Sequence, residues 1–511
     1  MLVMKIIAAL LYLGGAIVLT YYAVRAYQLN GYFPPKADKT AKVAMLSFFA
    51  GSVAVASLSF WTPLASMIAS AVLEIATVVI GTVGIVRLRT RLKFTPRATR
   101  LFGVAVLVLG GIGAGIVALS ESAHVTLTTL PMVLSMHAVL MRGIAAVVNP
   151  LETRHNRKQA MPRYAALYRD DLIRIGITGS FGKTGCKEML AAMLAARYRV
   201  VKTEGNLNTP IGIAKAAESV SETTQIFIAE MGAKRKGEIA ELTEIVRPRY
   251  AIVTGVAPQH LDSFGTAEAV YRTKKELPDR LPPDGFCVYN GDNDGTLRMY
   301  RERVGEGICA GERLLSENTV RAKDVEATSE GLRFTLLAPG RESEVFLPLL
   351  GRHNVVNFVL AATLAMHLGV TAEEIVTVAK TMRPVPHRLE IVRREPFTVI
   401  DDSYNANVEG VRSALDALKL FDGRKIVLSQ GIVELGREQV SRNEQVGRAI
   451  AEVADVAMLI GKNSHAIARG LRQGGMRESS IVFCRNLKEA EGMFGQLLQA
   501  GDVLLLQNDL P

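Results

Sequence analysis

The sequence predicts an α-helical transmembrane region followed by two domains of the α/β class. Three observations support this prediction. The first 150 residues contain long apolar runs that approach the ~20 residues needed to cross a bilayer. From Leu172 onwards, short apolar strands alternate with helical segments, which is the pattern of a parallel sheet. A glycine-rich turn separates the first of these strands from the helix that follows it.

Composition and charge exclude several classes of protein. Of the 511 residues, 49% are hydrophobic, and the mean hydropathy of +0.21 is high for a wholly soluble enzyme. The net charge is +11, but residues 1–170 alone hold 17 Lys/Arg against 5 Asp/Glu. Because the basic excess sits beside the apolar runs, we expect no nucleic-acid partner. The four cysteines lie far apart, which argues against a disulfide framework or a zinc ribbon.

We expect five membrane spans in the first 150 residues. The second and third spans form a tight hairpin, so a total of four or six spans is also possible. Basic residues are concentrated in alternate connecting segments, so the positive-inside rule places the N-terminus outside and everything after residue 150 in the cytoplasm. Glu74 and Arg142 fall within spans and are functional candidates, unless they snorkel or pair between helices. The predicted spans are Met4–Val24, Val43–Leu64, Ala65–Val86, Leu101–Leu119 and Val125–Val148.

The remainder of the chain is predicted to contain a linker at 151–170, a central domain at 171–385 and a C-terminal domain at 386–511. A proline-punctuated stretch, Arg383–Arg388, marks the boundary between the two domains. Residues 319–348 are expected to form short hairpin strands. The C-terminal domain is predicted to be a smaller, doubly wound Rossmann-like sheet, with strands near 397–400, 425–428, 456–460, 481–483 and 503–506.

The turn Gly179–Thr184 has the features of a phosphate-binding loop. Gly179, Ser180 and Gly182 let backbone N–H groups approach an anion at the start of a helix. Lys183 would neutralise the β- and γ-phosphates of ATP, and the Thr184 hydroxyl would bind Mg²⁺. The loop is shorter than the general G-x-x-x-x-G-K-[ST] form, and a chance glycine-rich turn is the alternative.

This loop, and five further segments in the same order, resemble the Mur ligases, which build the peptide of bacterial cell-wall precursors. The resemblance covers about residues 172–465 and is closest to the members that add D-alanyl-D-alanine. It implies a P-loop central domain and a C-terminal domain that closes over the nucleotide. The segments are Thr178–Thr184, Gly205–Gly212, Ala229–Ala233, His260–Gly265, Gly351–Asn357 and Asp401–Asn407.

The resemblance implies activation of a carboxylate by ATP as an acyl phosphate, followed by attack of an amine. It implies two Mg²⁺ ions, one held by Thr184 with Glu230 and a second served by His260. A capping carboxylate and a structural histidine are the respective alternatives. It also implies that Lys274 is carbamylated, although the adjacent Lys275 leaves the assignment open by one residue, and both could lie on a solvated helix face. Lys183, Glu230, His260 and Lys274 are therefore the candidate catalytic residues.

Two further sets of residues follow from the same resemblance. Asn290 could instead belong to an Asx-rich turn, and Asn354 could be a helix N-cap. The implied nucleotide contacts are Asn290, Asn354, Asn357, Arg388 and Asp402. The implied substrate contacts are Asn206, Asn208, Thr209, Tyr404, Asn405 and Asn407.

The chain departs from the family at the substrate-recognition ends. Five predicted spans replace the uridine-binding domain, Gln430–Gly436 lacks two residues of the family's G-D-M-x-E-L-G, and a C-terminal Lys-Gly-Ser-Arg is missing. We therefore expect a multi-pass ligase of the bacterial inner membrane, with cytoplasmic catalytic domains, in contact with lipid and other membrane proteins of wall synthesis. The acceptor would be a lipid-linked or UDP-linked muropeptide, and the donor an amino acid or dipeptide. The alternatives are an ordinary, merely tethered D-Ala-D-Ala-adding ligase, and a non-catalytic scaffold or transporter component.

Overall fold

A computed structural model of the chain divides into two units, residues 1–159 and 160–511. Each unit has its own hydrophobic clusters. The structure describes residues 2–29, 31–32, 68–73, 75–79, 91–205, 207–257, 264–404, 408–433, 435 and 438–507.

The first unit is helical where it is described. Two of its helices, α1 and α2, are long and apolar enough to cross a membrane, and the bent pair α3 and α4 would make a third span. Residues 68–73 and 75–79 are also helical. The four helices are α1 (Leu2–Leu29), α2 (Pro96–Leu119), α3 (Ala123–Ser135) and α4 (His137–Ala160).

The predicted spans are confirmed only in part. The span Val43–Leu64 and residue Glu74 lie outside the described residues, and only a part of Ala65–Val86 is described. The predicted span Val125–Val148 consists of two helices in the structure, because the chain bends by 60° between α3 and α4. The bend follows Pro131, which cannot donate a helical hydrogen bond. It places the buried His137 ring 3.0 Å from the Thr20 hydroxyl of α1.

Close packing of α1 against α2 depends on a glycine. A Cβ atom at Gly113 would lie 2.5 Å from the ring of Tyr12, so only glycine fits without displacing that ring. The Tyr12 hydroxyl donates a hydrogen bond of 3.0 Å to the carbonyl of Leu109. Close approach through small residues is typical of helix packing in membranes.

The second unit begins with a nine-stranded sheet whose order is β2-β3-β1-β4-β5-β6-β7-β8-β9. Neighbouring strands are parallel as far as β7, and β7, β8 and β9 form an antiparallel meander. The predicted hairpin strands over 319–348 are therefore confirmed. The strands are β1 (Ile173–Thr178), β2 (Val200–Lys202), β3 (Ile226–Met231), β4 (Tyr250–Val253), β5 (Phe286–Asn290), β6 (Glu306–Gly311), β7 (Asn318–Thr328), β8 (Gly331–Ala338) and β9 (Arg341–Leu347).

Helices cover both faces of this sheet, so its central strands are buried on both sides, as parallel strands require. One face packs on α5, α10 and α11, and the other on α6, α7 and a 3₁₀ helix, Met161–Tyr168. The helices are α5 (Lys183–Leu194), α6 (Pro210–Ala217), α7 (Glu238–Val246), α8 (Ala267–Lys275), α9 (Asp294–Arg301), α10 (His353–His367) and α11 (Ala372–Ala379).

A second, six-stranded sheet has the order β10-β11-β15-β12-β13-β14, in which only β10 is antiparallel to its neighbour. Helices lie on both faces of this sheet, as predicted. The last strand, β15, lies between β11 and β12, so the strand order differs from the 3-2-1-4-5-6 order of the dinucleotide-binding fold. The elements are β10 (Glu390–Arg393), β11 (Thr398–Asp402), α12 (Val408–Lys419), β12 (Lys425–Ser429), α13 (Gln439–Ala451), β13 (Val456–Ile460), α14 (Ser464–Gln473), β14 (Ile481–Cys484), α15 (Leu487–Leu497) and β15 (Val503–Gln507).

Helices α13 and α14 approach each other through two glycines. A Cβ atom at Gly447 would lie 2.1 Å from the carbonyl oxygen of Ile467, and one at Gly470 would lie 2.0 Å from that of Glu444. Both obstructing atoms belong to the backbone and cannot rotate away. The pair therefore requires glycine at both positions.

We expect Gly470→Ala to destabilise the protein by about 1–3 kcal/mol, because the added methyl group forces two helix backbones apart. Thermal unfolding of the full-length protein measures the effect as a lower Tm. Gly492→Ala on α15 is the matched control, since a Cβ atom there meets nothing within 4 Å. The control should keep or raise the Tm, because alanine favours a helix over glycine. An unchanged Tm for Gly470→Ala would show that the two helices are not held this closely.

Candidate active site

The loop between β1 and α5 needs glycine at two positions. Gly179 and Gly182 have φ angles of +154° and +75°, in the region that side chains disfavour. A Cβ atom at Gly179 would lie 2.1 Å from the Thr254 hydroxyl, and one at Gly182 would lie 2.5 Å from Oδ1 of Asn357. The chance-turn alternative does not explain this fit, because the loop is shaped by neighbours from two other elements.

Ser180 fixes the loop to the segment that follows β4. Its amide donates a hydrogen bond of 2.7 Å to the carbonyl of Gly255. Its hydroxyl donates to the carbonyl of Ala257 and accepts from the Ala257 amide, each at 3.0 Å. The ring of Phe181 packs over Gly255 so closely that a Cβ atom there would lie 2.2 Å away. Ser180 and Phe181 thus hold the loop against the segment that follows β4.

Lys183 lies in the first turn of α5, and its ammonium donates a hydrogen bond of 2.8 Å to the carbonyl of Gly179. Burial lowers the pKa of Lys183, the carboxylate of Glu230 opposes this shift, and the guanidinium of Arg388 adds to it. A cation that is partly deprived of solvent and close to other cations gains most from a bound anion. The position and charge of Lys183 therefore suit a phosphate ligand.

Glu230 is the last residue but one of β3 and is the centre of a buried polar cluster. Its side chain accepts hydrogen bonds from the Thr184 hydroxyl at 2.9 Å and from the Asn208 amide at 3.2 Å. The ammonium of Lys187 lies 3.4 Å from Oε2 of the same carboxylate. The alternative of a capping carboxylate at a loop does not apply, since Glu230 is only 1% exposed and receives these side-chain bonds.

Lys187 was missed as a site residue by the sequence reasoning. It is 0% exposed, and its ammonium donates a hydrogen bond of 2.6 Å to the carbonyl of Gly205. Gly205 begins the predicted substrate loop, Gly205–Gly212, which contains the implied substrate contacts Asn206, Asn208 and Thr209. Its spacing of four residues from Lys183 places both on one side of α5, and this was the available signal. Lys187 thus joins the substrate loop to Glu230.

Lys274 and Lys275, the two candidates for the carbamylated lysine, differ sharply in environment. Lys274 is buried, and burial together with the nearby charge of Lys183 lowers its pKa to about 7. Lys275 lies nearer the surface and pairs with Asp279 one turn away. The solvated-face alternative therefore fails for Lys274, whose amine is substantially neutral near physiological pH.

The three predicted asparagine contacts tie elements together around the loop. The side-chain amide of Asn290 donates a hydrogen bond of 2.8 Å to the carbonyl of Thr254 and so joins the ends of β5 and β4. The side-chain amide of Asn354 donates a hydrogen bond of 2.8 Å to the carbonyl of Leu350. The N-cap position of α10 belongs to Arg352, so the N-cap alternative for Asn354 is wrong. Asn357 is buried against Gly182.

Three predicted residues of the second sheet lie around the segment that connects the two sheets. The Arg388 guanidinium lies 4.8 Å from the centre of the Tyr404 ring. The Leu389 amide donates 3.3 Å to Oδ1 of Asp402. Burial raises the pKa of Asp402 to about 7, against the opposing effects of that amide and of Arg388. An incoming cation would favour the ionised form of Asp402.

Residues from both sheets of the second unit line one cavity of about 1060 Å³. Its volume matches that of a cleft for a nucleotide-sized ligand. His353 and Ser413, on α10 and α12, form a hydrogen bond of 2.9 Å at its wall. The predicted residues that line the cavity are Gly182, Thr184, Asn290, Asn354, Asn357, Arg388, Asp402 and Tyr404.

Four predicted site residues, His260, Asn206, Asn405 and Asn407, lie outside the described residues. Thr209 is the N-cap of α6, where its hydroxyl accepts 3.4 Å from the Gly212 amide. Within the part of the chain that the structure describes, no group of three His, Cys, Asp or Glu side chains could hold a metal. The oxygens of Thr184 and Glu230 nevertheless fit Mg²⁺, which takes few protein ligands and completes its shell with phosphate and water.

The segment after α4 contacts the predicted substrate loop. The hydroxyl of the buried Tyr164 donates a hydrogen bond of 2.9 Å to the carbonyl of Pro210, the first residue of α6. Ala160, Tyr164 and Leu167 belong to the hydrophobic cluster beneath α6 and α7. The part of the predicted linker that follows α4 is therefore packed against α6, whose N-cap is Thr209.

The fold and the site define the second unit as a parallel α/β protein with a phosphate-type loop at a strand–helix junction and a second α/β sheet across a shared cleft. Two family models match this unit: the Mur ligase middle domain over residues 177–365, and the Mur ligase, glutamate ligase domain over residues 387–507. The chain belongs to the Mur ligase family.

Curated relatives share the name UDP-N-acetylmuramoyl-tripeptide–D-alanyl-D-alanine ligase. The chain is 34% identical to the Escherichia coli K12 protein over 296 residues, which are 58% of this chain and 66% of that protein. It is 30% identical to the Mycobacterium leprae protein over 373 residues, which are 67% and 72% of the two chains. The chain thus spans just under two thirds of the length of several such relatives.

Solved structures agree on the fold. The crystal structure of MurF from Acinetobacter baumannii superposes with a TM-score of 0.62 at 27% identity, covering 68% of this chain and 76% of that one. The MurF ligase of Thermotoga maritima, solved in complex with ADP, gives 0.60 at 24% identity, covering 69% and 80%.

Proposed function

We propose that the chain is a membrane-anchored, ATP-dependent amide ligase that extends the peptide of a peptidoglycan-type precursor through an acyl phosphate. The observation that carries this proposal is a cleft lined by Gly182 and Thr184 of the phosphate-type loop and helix and by residues of the second sheet, with Thr184 hydrogen-bonded to the buried Glu230. The names of the relatives support the reaction class, and the ADP complex of a structure with the same fold supports the nucleotide.

The chain's own residues would position and neutralise rather than react covalently. The loop amides and Lys183 bind the phosphates of ATP, so that the γ-phosphorus is open to the acceptor carboxylate. A carboxylate oxygen attacks that phosphorus, and ADP leaves. The amine then attacks the acyl carbon, inorganic phosphate leaves, and the amine nitrogen loses a proton. Holding the reactants in line supplies most of the rate enhancement.

The residues present fit a hard divalent cation, since the Thr184 hydroxyl and the Glu230 carboxylate offer oxygen ligands 2.9 Å apart beside the loop. When bound, Mg²⁺ would neutralise charge on the phosphate oxygens. Lys187 and Asn208 keep the Glu230 carboxylate in one orientation. We propose a second cation at His260, as the family resemblance implies.

The second sheet would close the site. Arg388, Asp402 and Tyr404 line the same cleft as Gly182 and Asn357. Their approach to the nucleotide would exclude water, which would otherwise hydrolyse an acyl phosphate. We propose Tyr404, Asn405 and Asn407, together with Asn206, Asn208 and Thr209, as contacts of the substrate, as the family resemblance implies.

For the acceptor we propose a lipid-linked muropeptide, with D-alanyl-D-alanine as the amine donor. The donor follows the names of the relatives, which specify a UDP-linked acceptor for those proteins. Two apolar helices of membrane-spanning length support anchoring in the inner membrane.

The test offers the purified full-length protein UDP-linked and lipid-linked muropeptides side by side, with D-alanyl-D-alanine and Mg-ATP. We expect higher kcat/KM on the lipid-linked form. Equal or better turnover of the UDP-linked form would contradict the lipid-linked acceptor. It would instead indicate a D-Ala-D-Ala-adding ligase that acts on the UDP-linked acceptor and is merely tethered to the membrane. Absence of ligation with both would defeat the proposed activity itself.

We predict that Lys274 is carbamylated and that Lys274→Ala lowers kcat by about a hundredfold or more, through loss of a negative charge in the site. A neutral amine attacks CO₂ and loses a proton to give the carbamate anion. Because the pKa of Lys274 is about 7, the neutral fraction and hence carbamylation should rise between pH 6 and pH 8.

Native mass spectrometry of the wild type should show the mass of one added CO₂ that Lys274→Ala lacks, and removal of bicarbonate should reduce activity reversibly. Lys275→Ala, next in the chain but paired with Asp279, is the control and should keep both properties. Full activity of Lys274→Ala would refute a role for this amine.

A further inference from the structure

The segment that connects the two sheets ends in a turn with an unusual residue. The amide of Arg388 donates a hydrogen bond of 3.1 Å to the carbonyl of Val385, which closes a turn of four residues. Proline in the second position of the turn, and a φ angle of +63° at His387 in the third, are features of a type II turn. Such a turn ordinarily has glycine in the third position, so histidine carries a conformational cost there.

Left-handed backbone is also found on the other side of Arg388. In the part of the chain that the structure describes, five residues other than glycine have a positive φ angle, and two of them, His387 and Leu389, flank Arg388. The φ angle of Leu389 is +50°. Strain of this kind persists only where the surrounding contacts impose it, and it is concentrated at functional sites. The contacts that hold His387 and Leu389 in these conformations therefore also fix the position of Arg388.

The ring of His387 forms a hydrogen bond to a buried carboxylate near the end of β11. Nδ1 of His387 lies 2.7 Å from Oδ2 of Asp401. Because a carboxylate only accepts hydrogen bonds, Nδ1 is the donor and carries the proton. The other carboxylate oxygen of Asp401 accepts from the Ser403 amide at 3.0 Å, so the acceptor is itself held in place. The imidazole thus makes a contact that glycine at this position of the turn could not make.

The backbone of the turn is attached to the same end of β11. The carbonyl of His387 accepts a hydrogen bond of 3.2 Å from the Tyr404 amide. The Leu389 amide donates a hydrogen bond of 3.3 Å to Oδ1 of Asp402. The turn and the end of β11 are therefore joined through both backbone and side chains. Together they carry three residues that line the cleft: Arg388, Asp402 and Tyr404.

The guanidinium of Arg388 lies at the cleft, and its charge is felt at the phosphate-type loop. Its central carbon is 4.8 Å from the centre of the Tyr404 ring. Burial lowers the pKa of Lys183, the carboxylate of Glu230 raises it, and the charge of Arg388 lowers it further. Two cations this close together favour a shared anionic ligand, such as the phosphate chain of ATP. The position of Arg388 therefore bears directly on nucleotide affinity.

We propose that His387 is a positioning residue for nucleotide binding: its hydrogen bond to Asp401 holds the turn that places the Arg388 guanidinium against the nucleotide. The inference rests on the proposed function for the identity of the ligand. The His387 side chain is exposed and is not among the residues that line the cleft, so it acts only through its neighbour. A residue that acts only through Arg388 has no effect on binding once Arg388 is removed.

The experiment compares His387→Gly with His387→Asn, because glycine and asparagine both tolerate a positive φ angle. Asparagine, like histidine, has a nitrogen bonded to Cγ and can keep the donor to Asp401, whereas glycine removes it. Calorimetric titration of the full-length protein with Mg-ATP, without acceptor, measures the Kd. We expect the Kd of His387→Gly to rise about tenfold, as for the loss of one charged hydrogen bond, and that of His387→Asn to stay close to the wild-type value. The Tm of His387→Gly should change little, because relief of strain offsets the lost bond.

The double variant His387→Gly/Arg388→Ala tests the route of the effect. It should bind Mg-ATP no more weakly than Arg388→Ala alone, since the two residues act as one unit. Asp324→Gly is the matched control, because Asp324 is another exposed residue with a positive φ angle, +54°, and does not line the cleft. This control should keep the wild-type Kd.

Two results would overturn the inference while leaving the proposed function intact. One is a wild-type Kd in His387→Gly, and the other is a tenfold effect of His387→Gly that persists in the Arg388→Ala background. Absence of Mg-ATP binding by the wild type would instead defeat the proposed function and this inference together. The two kinds of failure are therefore distinguished by the wild-type titration.

Discussion

Lys183→Ala is expected to abolish ligation, lowering kcat/KM by at least about a thousandfold, or about 4 kcal/mol of transition-state stabilisation. The ammonium of Lys183 is the cation at the helix N-terminus that would neutralise the phosphates, and in the protein it contacts the carbonyl of Gly179 at 2.8 Å. Alanine keeps the helix and removes only this charge. Ligation and ATP binding should both be measured, because phosphate neutralisation contributes to each.

The control for this substitution is Lys215→Ala, which removes an exposed lysine from α6. It should leave both kcat/KM and Tm unchanged. Lys183→Ala should also keep its Tm, since the contact it loses is a single bond to a loop carbonyl. Normal turnover by folded Lys183→Ala would mean that the loop does not bind the transferred phosphoryl group.

Glu230→Gln should lose activity and stability together, and the two losses should have different causes. Activity should fall by about a hundredfold or more, because the oxygen pair with Thr184 loses its charge. Stability should fall by about 1–3 kcal/mol, since the fully buried ammonium of Lys187 loses one of its two carboxylate partners and keeps Glu188 at 3.5 Å. Steady-state kinetics over a range of Mg²⁺ concentrations and thermal unfolding measure the two effects separately.

The double variant Lys187→Met/Glu230→Gln separates the loss of activity from the loss of stability. Methionine fills much of the space of lysine without a charge, so the double variant should regain most of the Tm lost by Glu230→Gln. It should remain inactive, because the carboxylate is still missing. A double variant that recovered ligation would show that Glu230 acts only as the partner of Lys187.

Local patterns in the sequence predicted most of the fold that positions the site. Most strands of the two sheets, the phosphate-type loop and the hairpin strands after β6 follow from apolar runs and glycine-rich turns, which are properties of neighbouring residues, whereas β2, β6 and β10 were not predicted. The position of β15 between β11 and β12 was not predicted, because strand order depends on contacts between residues far apart in the chain. The bend between α3 and α4 was missed because apolar composition alone does not distinguish one helix from two.

At the site, too, some residues could be predicted from the sequence and others only from tertiary contacts. Glu230 and Lys274 were found through resemblance, but only burial distinguishes Lys274 from its neighbour Lys275. Lys187 looked like an ordinary helical lysine until its ammonium was found between Gly205 and Glu230. Such roles arise from tertiary contacts, and no single-sequence pattern carries them.

The central claim is that ATP activates a carboxylate of the acceptor as an acyl phosphate, and oxygen transfer tests it most directly. The acceptor muropeptide is labelled with heavy oxygen in its reacting carboxylate and incubated with the full-length protein, Mg-ATP and D-alanyl-D-alanine. We predict that each released phosphate carries one labelled oxygen, in proportion to the amide formed. Release of unlabelled phosphate alone, with or without amide formation, would contradict the account.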